Sequence, residues 1–214
     1  MQRPLSTPVR DSLRTAVEMF EGLMIGSPAE EYLGTRGIST ETARVHRLGY
    51  VPGQGGTDPY WARFAGRLAV PNVNAAGVVV GLKFRALGDE EPKYDGPSGL
   101  PARLFNLRAL TNCHDIVTIV EGEMDAISLT ELGIPAVGVP GASNWREYHA
   151  RIFAGFERIV MIADNDKAGN DLQRKILASG LPVMPAAPPA GLNDVNEALV
   201  AGYGDAVREL VSAR

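Results

Sequence analysis

The hydrophobic pattern changes character partway along the chain. From about Asn112 onward, short apolar runs alternate with stretches of helical period, and two runs stand out: Ile116-Val-Thr-Ile-Val120 and Arg158-Ile-Val-Met-Ile-Ala163. Runs without polar alternation read as strands buried on both faces, as in a parallel sheet covered by helices. Strands are predicted at 116–120, 135–139, 158–163 and 182–185, with helices at 123–132, 144–154, 167–178, 193–201 and 203–213. Gly133 and Gly180 sit just past two of those helices, where a residue of positive φ commonly closes one. The alternation predicts a compact α/β domain with a mainly parallel sheet.

The earlier half reads differently. The first ten residues hold two prolines and are expected to form a loose arm. A helix follows from Asp11 to about Leu23, with Leu13, Val17, Phe20 and Met24 on one face. Ser27-Pro28 opens a second helix, with Glu30 at the capping-box position and an end at Gly34 or Gly37. A third short helix is capped by Ser39 or Thr40. Val51 to Asp58 has turn composition and is expected to be exposed. Arg67-Leu-Ala-Val-Pro-Asn and Val78-Val-Val-Gly-Leu-Lys-Phe-Arg85 read as an antiparallel pair around Asn74-Ala-Ala-Gly77. Ala86 to Ala102, rich in Gly, Pro and charge, reads as a mobile loop. The domains expected are an N-terminal arm and helix at 1–26, a basic α+β subdomain at 27–111 and the α/β domain at 112–214. There is no internal repeat.

Composition narrows the class. With 214 residues, 45% of them apolar and 21% charged, the chain is an ordinary soluble protein with room for one large or two small cores. Its start has no apolar leader and no stretch reaches the ~18 apolar residues of a membrane span, so a cytoplasmic location is expected. A single cysteine, Cys113, excludes an internal disulfide and a Cys₄ or Cys₂His₂ zinc ribbon within this sequence. Its apolar neighbours predict a buried, inert thiol. The net charge of −4 hides an asymmetry: residues 1–111 carry 13 Lys+Arg against 11 Asp+Glu, and residues 112–214 carry 8 against 14. Arg63, Arg67, Lys83 and Arg85 occur with no acid between Asp58 and Asp89, which makes that surface the expected polyanion track.

The acids close the two apolar runs. Glu121-Gly-Glu-Met-Asp125 follows the first and Asp164-Asn-Asp166 the second. In open parallel sheets the ligand crevice lies beyond the carboxyl ends of the strands, so both groups face one crevice, and carboxylate oxygens suit hard divalent cations. Asp164 and Asp166, two apart on extended chain, point the same way. A second reading makes Asp166 the cap of the helix opening at Lys167. An EF-hand reading fails at Ala168 and at Lys175, where ligating side chains belong. First-turn stabilisation of a helix dipole explains Glu123 well and Glu121 poorly, because Gly122 leaves Glu121 outside the helix. Asp125 leans back over the same crevice, and Asp194 either completes the site or caps a helix.

These residues carry a resemblance. Glu121-Gly-Glu-Met-Asp125 followed by Ala163-Asp-Asn-Asp-Lys-Ala-Gly169 resembles the Toprim domain of bacterial-type primases, topoisomerases and some nucleases. Asn193-Asp-Val-Asn-Glu-Ala-Leu199 is similar to a segment of phage and mitochondrial primase-helicases. Tyr32-Leu-Gly-Thr-Arg-Gly-Ile38 through Leu48-Gly-Tyr50, Gly66-Arg-Leu-Ala-Val-Pro71, Gly81-Leu-Lys-Phe-Arg85, Pro92-Lys-Tyr94 and Leu104-Phe-Asn106 resemble the basic subdomain that precedes Toprim in DnaG-type primases. The resemblance implies a Rossmann-like Toprim domain and primer synthesis on single-stranded DNA from ribonucleoside triphosphates. It implies that Glu121, Asp164 and Asp166 are catalytic and hold Mg²⁺ or Mn²⁺, with Asp125 and Asp194 as supporting acids. Glu121 would also assist proton transfer from the attacking 3′-hydroxyl. Arg63, Arg67, Lys83, Arg85, Lys93 and Lys167 would contact template or nucleotide.

The sequence departs from that pattern in three ways. It lacks the cysteines of a zinc ribbon, it has no Walker A motif for a fused helicase, and it carries Asn196 where bacterial primases show a second acid after Asp194. The resemblance therefore implies a phage-style core in a bacterial cell, with a replicative helicase and a separate zinc-bearing protein as partners. A Toprim nuclease and a non-catalytic DNA-binding scaffold are the competing functions. The upstream basic subdomain argues against the first and the complete acid set against the second. The face formed by Tyr203, Val207, Leu210 and Val211 reads either as a helicase contact or as a helix packed on the sheet.

Overall fold

The computed structural model describes residues 4–53, 58–112 and 115–212. Cys113 and residues 54–57 of the 51–58 turn lie outside that set; Val51, expected to be exposed with that turn, is buried in a hydrophobic core. The chain divides into two compact units that meet at Pro101 and Ala102. This is earlier than the expected boundary at 111/112, because Phe105 bridges Gly138 and so ties 102–111 to the second unit.

In the first unit, α1 (Thr7–Gly22) begins inside the expected arm, with Pro8 in its first turn, where a missing N–H costs nothing. It buries Leu13, Ala16, Val17 and Phe20. Next comes α2 (Pro28–Thr35), whose Ser27 cap accepts the Glu30 N–H. Glu30 in turn accepts the N–H of Gly26 at 2.6 Å, one residue beyond the usual box partner. After α3 (Thr40–Val45), β1 (Gly49–Tyr50) and α4 (Pro59–Ala62), the hairpin forms as expected from β2 (Leu68–Val73) and β3 (Val79–Arg85). The Asn74 side chain holds its turn by accepting from Ala76 and Val78. The expected 86–102 loop is pinned to the sheet by β4 (Tyr94–Asp95), giving the antiparallel order β1-β2-β3-β4. Helix α1 packs on this sheet through an aromatic core in which Phe64 stacks on Phe84 at 4.0 Å and Phe20 meets Phe84 edge-on.

The second unit runs α5 (Ala109–Asn112), β5 (Ile116–Glu121), α6 (Glu123–Glu131), β6 (Ala136–Val139), α7 (Ala150–Phe153), β7 (Arg158–Ile162), α8 (Lys167–Leu177), β8 (Val183–Ala186), α9 (Val195–Val200) and α10 (Gly204–Ser212). Its four strands are all parallel in the order β6-β5-β7-β8. Each lies within one or two residues of its expected span. The chain leaves β5 for β6 on one side and returns to β7 on the other, so the order switches between β5 and β7, where such sheets open a ligand crevice. The single helix expected at 144–154 is broken into 3₁₀ turns at Ala142–Asn144 and Glu147–His149 followed by α7. Trp145 turns extended there to bury its ring against Phe153, and His149 Nδ1 rather than a carbonyl partners the Arg146 N–H at 3.1 Å. Helix α10 buries Val207 and lies on α9, while Tyr203 stays exposed. Among the described residues no helix is long and apolar enough to cross a membrane.

Candidate active site

The two central strands place the acids by register. Val120 pairs with Ile162, so Glu121 and Ala163 are level and Asp164 lies one residue beyond. Gly122, at φ 103°, turns the chain directly into α6, a conformation that side chains rarely adopt. Gly169 lets the first turn of α8 rest on the Asp164 backbone; a Cβ there would stand 2.4 Å from the Asp164 carbonyl oxygen. The glycine ending Asp-Asn-Asp-Lys-Ala-Gly169 is thus required by that close approach.

Asp166 takes the capping role that the sequence allowed. It caps α8, accepting the Gly169 N–H at 2.8 Å, and its charge still acts on Asp164 and Glu121. The helix starting at Lys167 leaves no room for an EF-hand loop. Asp194 likewise caps α9, accepting from Glu197 at 2.7 Å, and also acts on Asp164. Asn165, which sequence reasoning passed over, joins these two segments: its N–H donates to the Asn193 carbonyl at 2.8 Å and its side chain to the Leu192 carbonyl. Its only sequence signal is its place between two acids. Asp125 is buried on α6 and accepts the backbone N–H of Asn196 at 3.2 Å. Glu123, in the first turn of α6 where an acid suits the helix dipole, is buried as well, at 5% exposure.

The electrostatics show the convergence. Burial first, and then the charges of Asp125, Glu121, Asp194 and Asp166, push the Asp164 carboxyl up to about 8. All five predicted acids therefore act at one place. Glu121 is also raised, by burial and then by Asp166, against the opposing effect of an N–H from Ala142. Its Oε2 is buried without a hydrogen-bond partner. A cluster of hard oxygen donors that repel one another, one of them unsatisfied, fits a divalent cation. The fit is open rather than caged: among the described residues no three such side chains already enclose a metal-sized space.

The predicted cations have different fates in the first unit. Arg85 is buried at 5% exposure, donating from Nε to the Tyr32 hydroxyl at 2.5 Å and from Nη1 to the Tyr94 hydroxyl at 2.9 Å. Both rings also face its guanidinium, at 5.7 and 5.1 Å. Burial alone would lower its pKa; Tyr94 and Tyr32 outweigh that and raise it. Both tyrosines stand in the motifs quoted above, but the sequence assigned neither a role. Arg63 is paired with Asp95 at 3.0 Å, which helps hold the Asp95 carboxyl below its ordinary value against the opposing effect of burial. Arg67 donates to the Pro92 carbonyl at 2.8 Å and Lys83 lies 5.4 Å from the Tyr94 ring centre. Lys93 is exposed, as is Lys167 at the start of α8 in the second unit.

Fold and acids together define a Toprim-type catalytic domain: a family described as Toprim-like matches residues 118–199, from within β5 to within α9. Over 133 residues the chain is 35% identical to the gene 57 protein of Mycobacterium phage D29, covering 62% of this chain and 87% of that protein. Over 178 residues it is 32% identical to the DNA primase of Thermotoga maritima, covering 66% of this chain and 31% of the primase. The crystal structure of a DNA primase domain from Pseudomonas aeruginosa superposes with a TM-score of 0.77 at 26% identity, covering 97% of this chain and 79% of that one. The chain belongs to the DnaG-type primase family and corresponds to its catalytic core. It spans about a third of the length of the bacterial DNA primases it matches. The family works with divalent metal ions.

Proposed function

We propose that this chain synthesises short RNA primers on a single-stranded DNA template, by transferring nucleotides from ribonucleoside triphosphates. The observation that carries the reading is the convergence of four carboxylates, those of Glu121, Asp125, Asp166 and Asp194, on Asp164 beyond β5 and β7, within a primase-core fold. Glu121, Asp164 and Asp166 hold Mg²⁺ or Mn²⁺, with Asp125 and Asp194 supporting them. Held by these residues, a divalent ion would supply the Lewis acidity that lowers the pKa of a 3′-hydroxyl and offsets charge on a leaving pyrophosphate. Glu121, half-buried with its Oε2 lacking a hydrogen-bond partner, would accept the hydroxyl proton as the new bond to the α-phosphorus forms and the bond to pyrophosphate breaks. Arg67, Lys83, Arg85 and Lys93 in the first unit and Lys167 in the second supply positive charge for template and triphosphate. Arg63 contributes least, because Asp95 already offsets its charge.

The likeness to a phage protein supports action in the cytoplasm of an infected bacterium. A replicative helicase and a zinc-bearing protein are the partners this reading calls for. The test is incubation with single-stranded DNA, one labelled ribonucleotide among four, and Mg²⁺ or Mn²⁺. Labelled oligomers that disappear in Asp164→Ala are the expected result. Shortened DNA without added nucleotides would mean a nuclease, and a gel shift with neither product a scaffold.

A further inference from the structure

Two acids of the site, Asp125 and Asp194, come from different helices, and one buried residue connects them. Asn196 lies in the first turn of α9 at 1% exposure, two residues after Asp194. Its backbone N–H donates to Asp125 Oδ1 at 3.2 Å. Its side-chain Nδ2 donates to Ser128 Oγ at 2.9 Å, one helical turn further along α6 from Asp125. Ser128 spends its one proton on the Met124 carbonyl, also at 2.9 Å, so it can only accept from Asn196. With Oδ1 bound to α9, Asp125 has its other oxygen toward the end of β5: a Cβ on Gly122 would lie 3.7 Å from Oδ2.

We propose that Asn196 is a positioning residue of the metal site, clamping α9 to α6 so that Asp125 and Asp194 both bear on Asp164. The amide is suited to this place on two counts. It supplies the donor that Ser128 needs, which a carboxylate cannot, and it adds no negative charge beside a buried Asp125. The inference rests on the reading of the acids as a divalent-cation site. It differs from that reading in assigning function to a neutral residue that touches no ion.

The test is calorimetric titration of the metal-free full chain with Mn²⁺, alongside circular dichroism to confirm folding. Asn196→Ala should raise the dissociation constant about tenfold, as loss of an outer-shell partner typically does. Ser128→Ala should act in the same direction, and the double variant should bind no worse than the weaker single one, because both remove one link. Ser128→Ala also keeps the idea testable if Asn196→Ala does not fold. Variants that melt earlier yet bind Mn²⁺ with wild-type affinity overturn the proposal and leave Asn196 a packing residue. A wild-type chain that takes up no Mn²⁺ overturns the metal reading itself, before any variant is compared.

Discussion

Each unit buries charge away from an opposite charge, and the two do it by opposite means. In the first, the Arg85 guanidinium is enclosed by the hydroxyls and ring faces of Tyr32 and Tyr94, and among the described residues no carboxylate shares it. Neutral dipoles and ring quadrupoles stand in for water, so the arginine keeps its proton. In the second, Glu121, Asp125, Asp166 and Asp194 each accept a backbone N–H, but their charges still press on Asp164. Asp164 responds by holding a proton up to about pH 8. A charge furnished with neutral partners is a finished structural element that can still attract an anion. Like charges gathered at one strand end remain costly until a cation joins them.

The largest break in this contrast is Glu121→Gln. It keeps the side chain's shape, removes one negative charge and should cut primer synthesis about 10²- to 10³-fold, measured as labelled primer per unit time. The metal-free protein should be no less stable, because a repulsive partner of Asp164 is gone; a large drop in its urea midpoint would show that Glu121 serves the fold. Next is Arg85→Lys. An ammonium cannot reach both hydroxyls and face both rings, so stability should fall by about 2–3 kcal/mol in urea denaturation. A lysine variant of wild-type stability would remove the tyrosine cage from the explanation.

The smallest effect is in the pH dependence. Folded Asp164 keeps its proton to about pH 8, whereas its ordinary value is 3.8, so between those values the folded chain binds more protons than the unfolded one. Stability of the protein in chelator should therefore be full below about pH 4 as regards this group, and be lost as pH rises through 8. Asp164→Asn should remove this slope and be more stable than wild type at pH 8 by roughly 1–2 kcal/mol, allowing for solvent screening of a partly exposed group. Parallel melting curves for the two proteins from pH 5 to 8.5 would show that the acids do not press on Asp164.

Much of the fold was legible because its signals are local. The β-branched run 116–120 has no helical alternative that buries it as well, and Ser27 with Glu30 marks a helix start through bonds spanning a few residues. The turn at Asn74 was readable for the same reason. The stretch 144–154 was misread, since its helical period is real but burial of Trp145 overrides it. The site followed the same division. Acids at strand ends could be picked out one by one, and Asp166 caps α8 while its charge still acts on Glu121.

The sequence by itself determined the elements, the strand ends at which Glu121 and Asp164 fall, and the sign of charge in each half, because propensity, capping and hydrophobic period act between near neighbours. Only the tertiary structure decided which charges are buried and what surrounds them. Tyr32 meets Arg85 across 53 residues and Asn196 meets Asp125 across 71. The proton on Asp164 depends on four other acids summed through space. Desolvation and Coulomb energy depend on distance in the folded chain, and no pattern along the sequence encodes that distance.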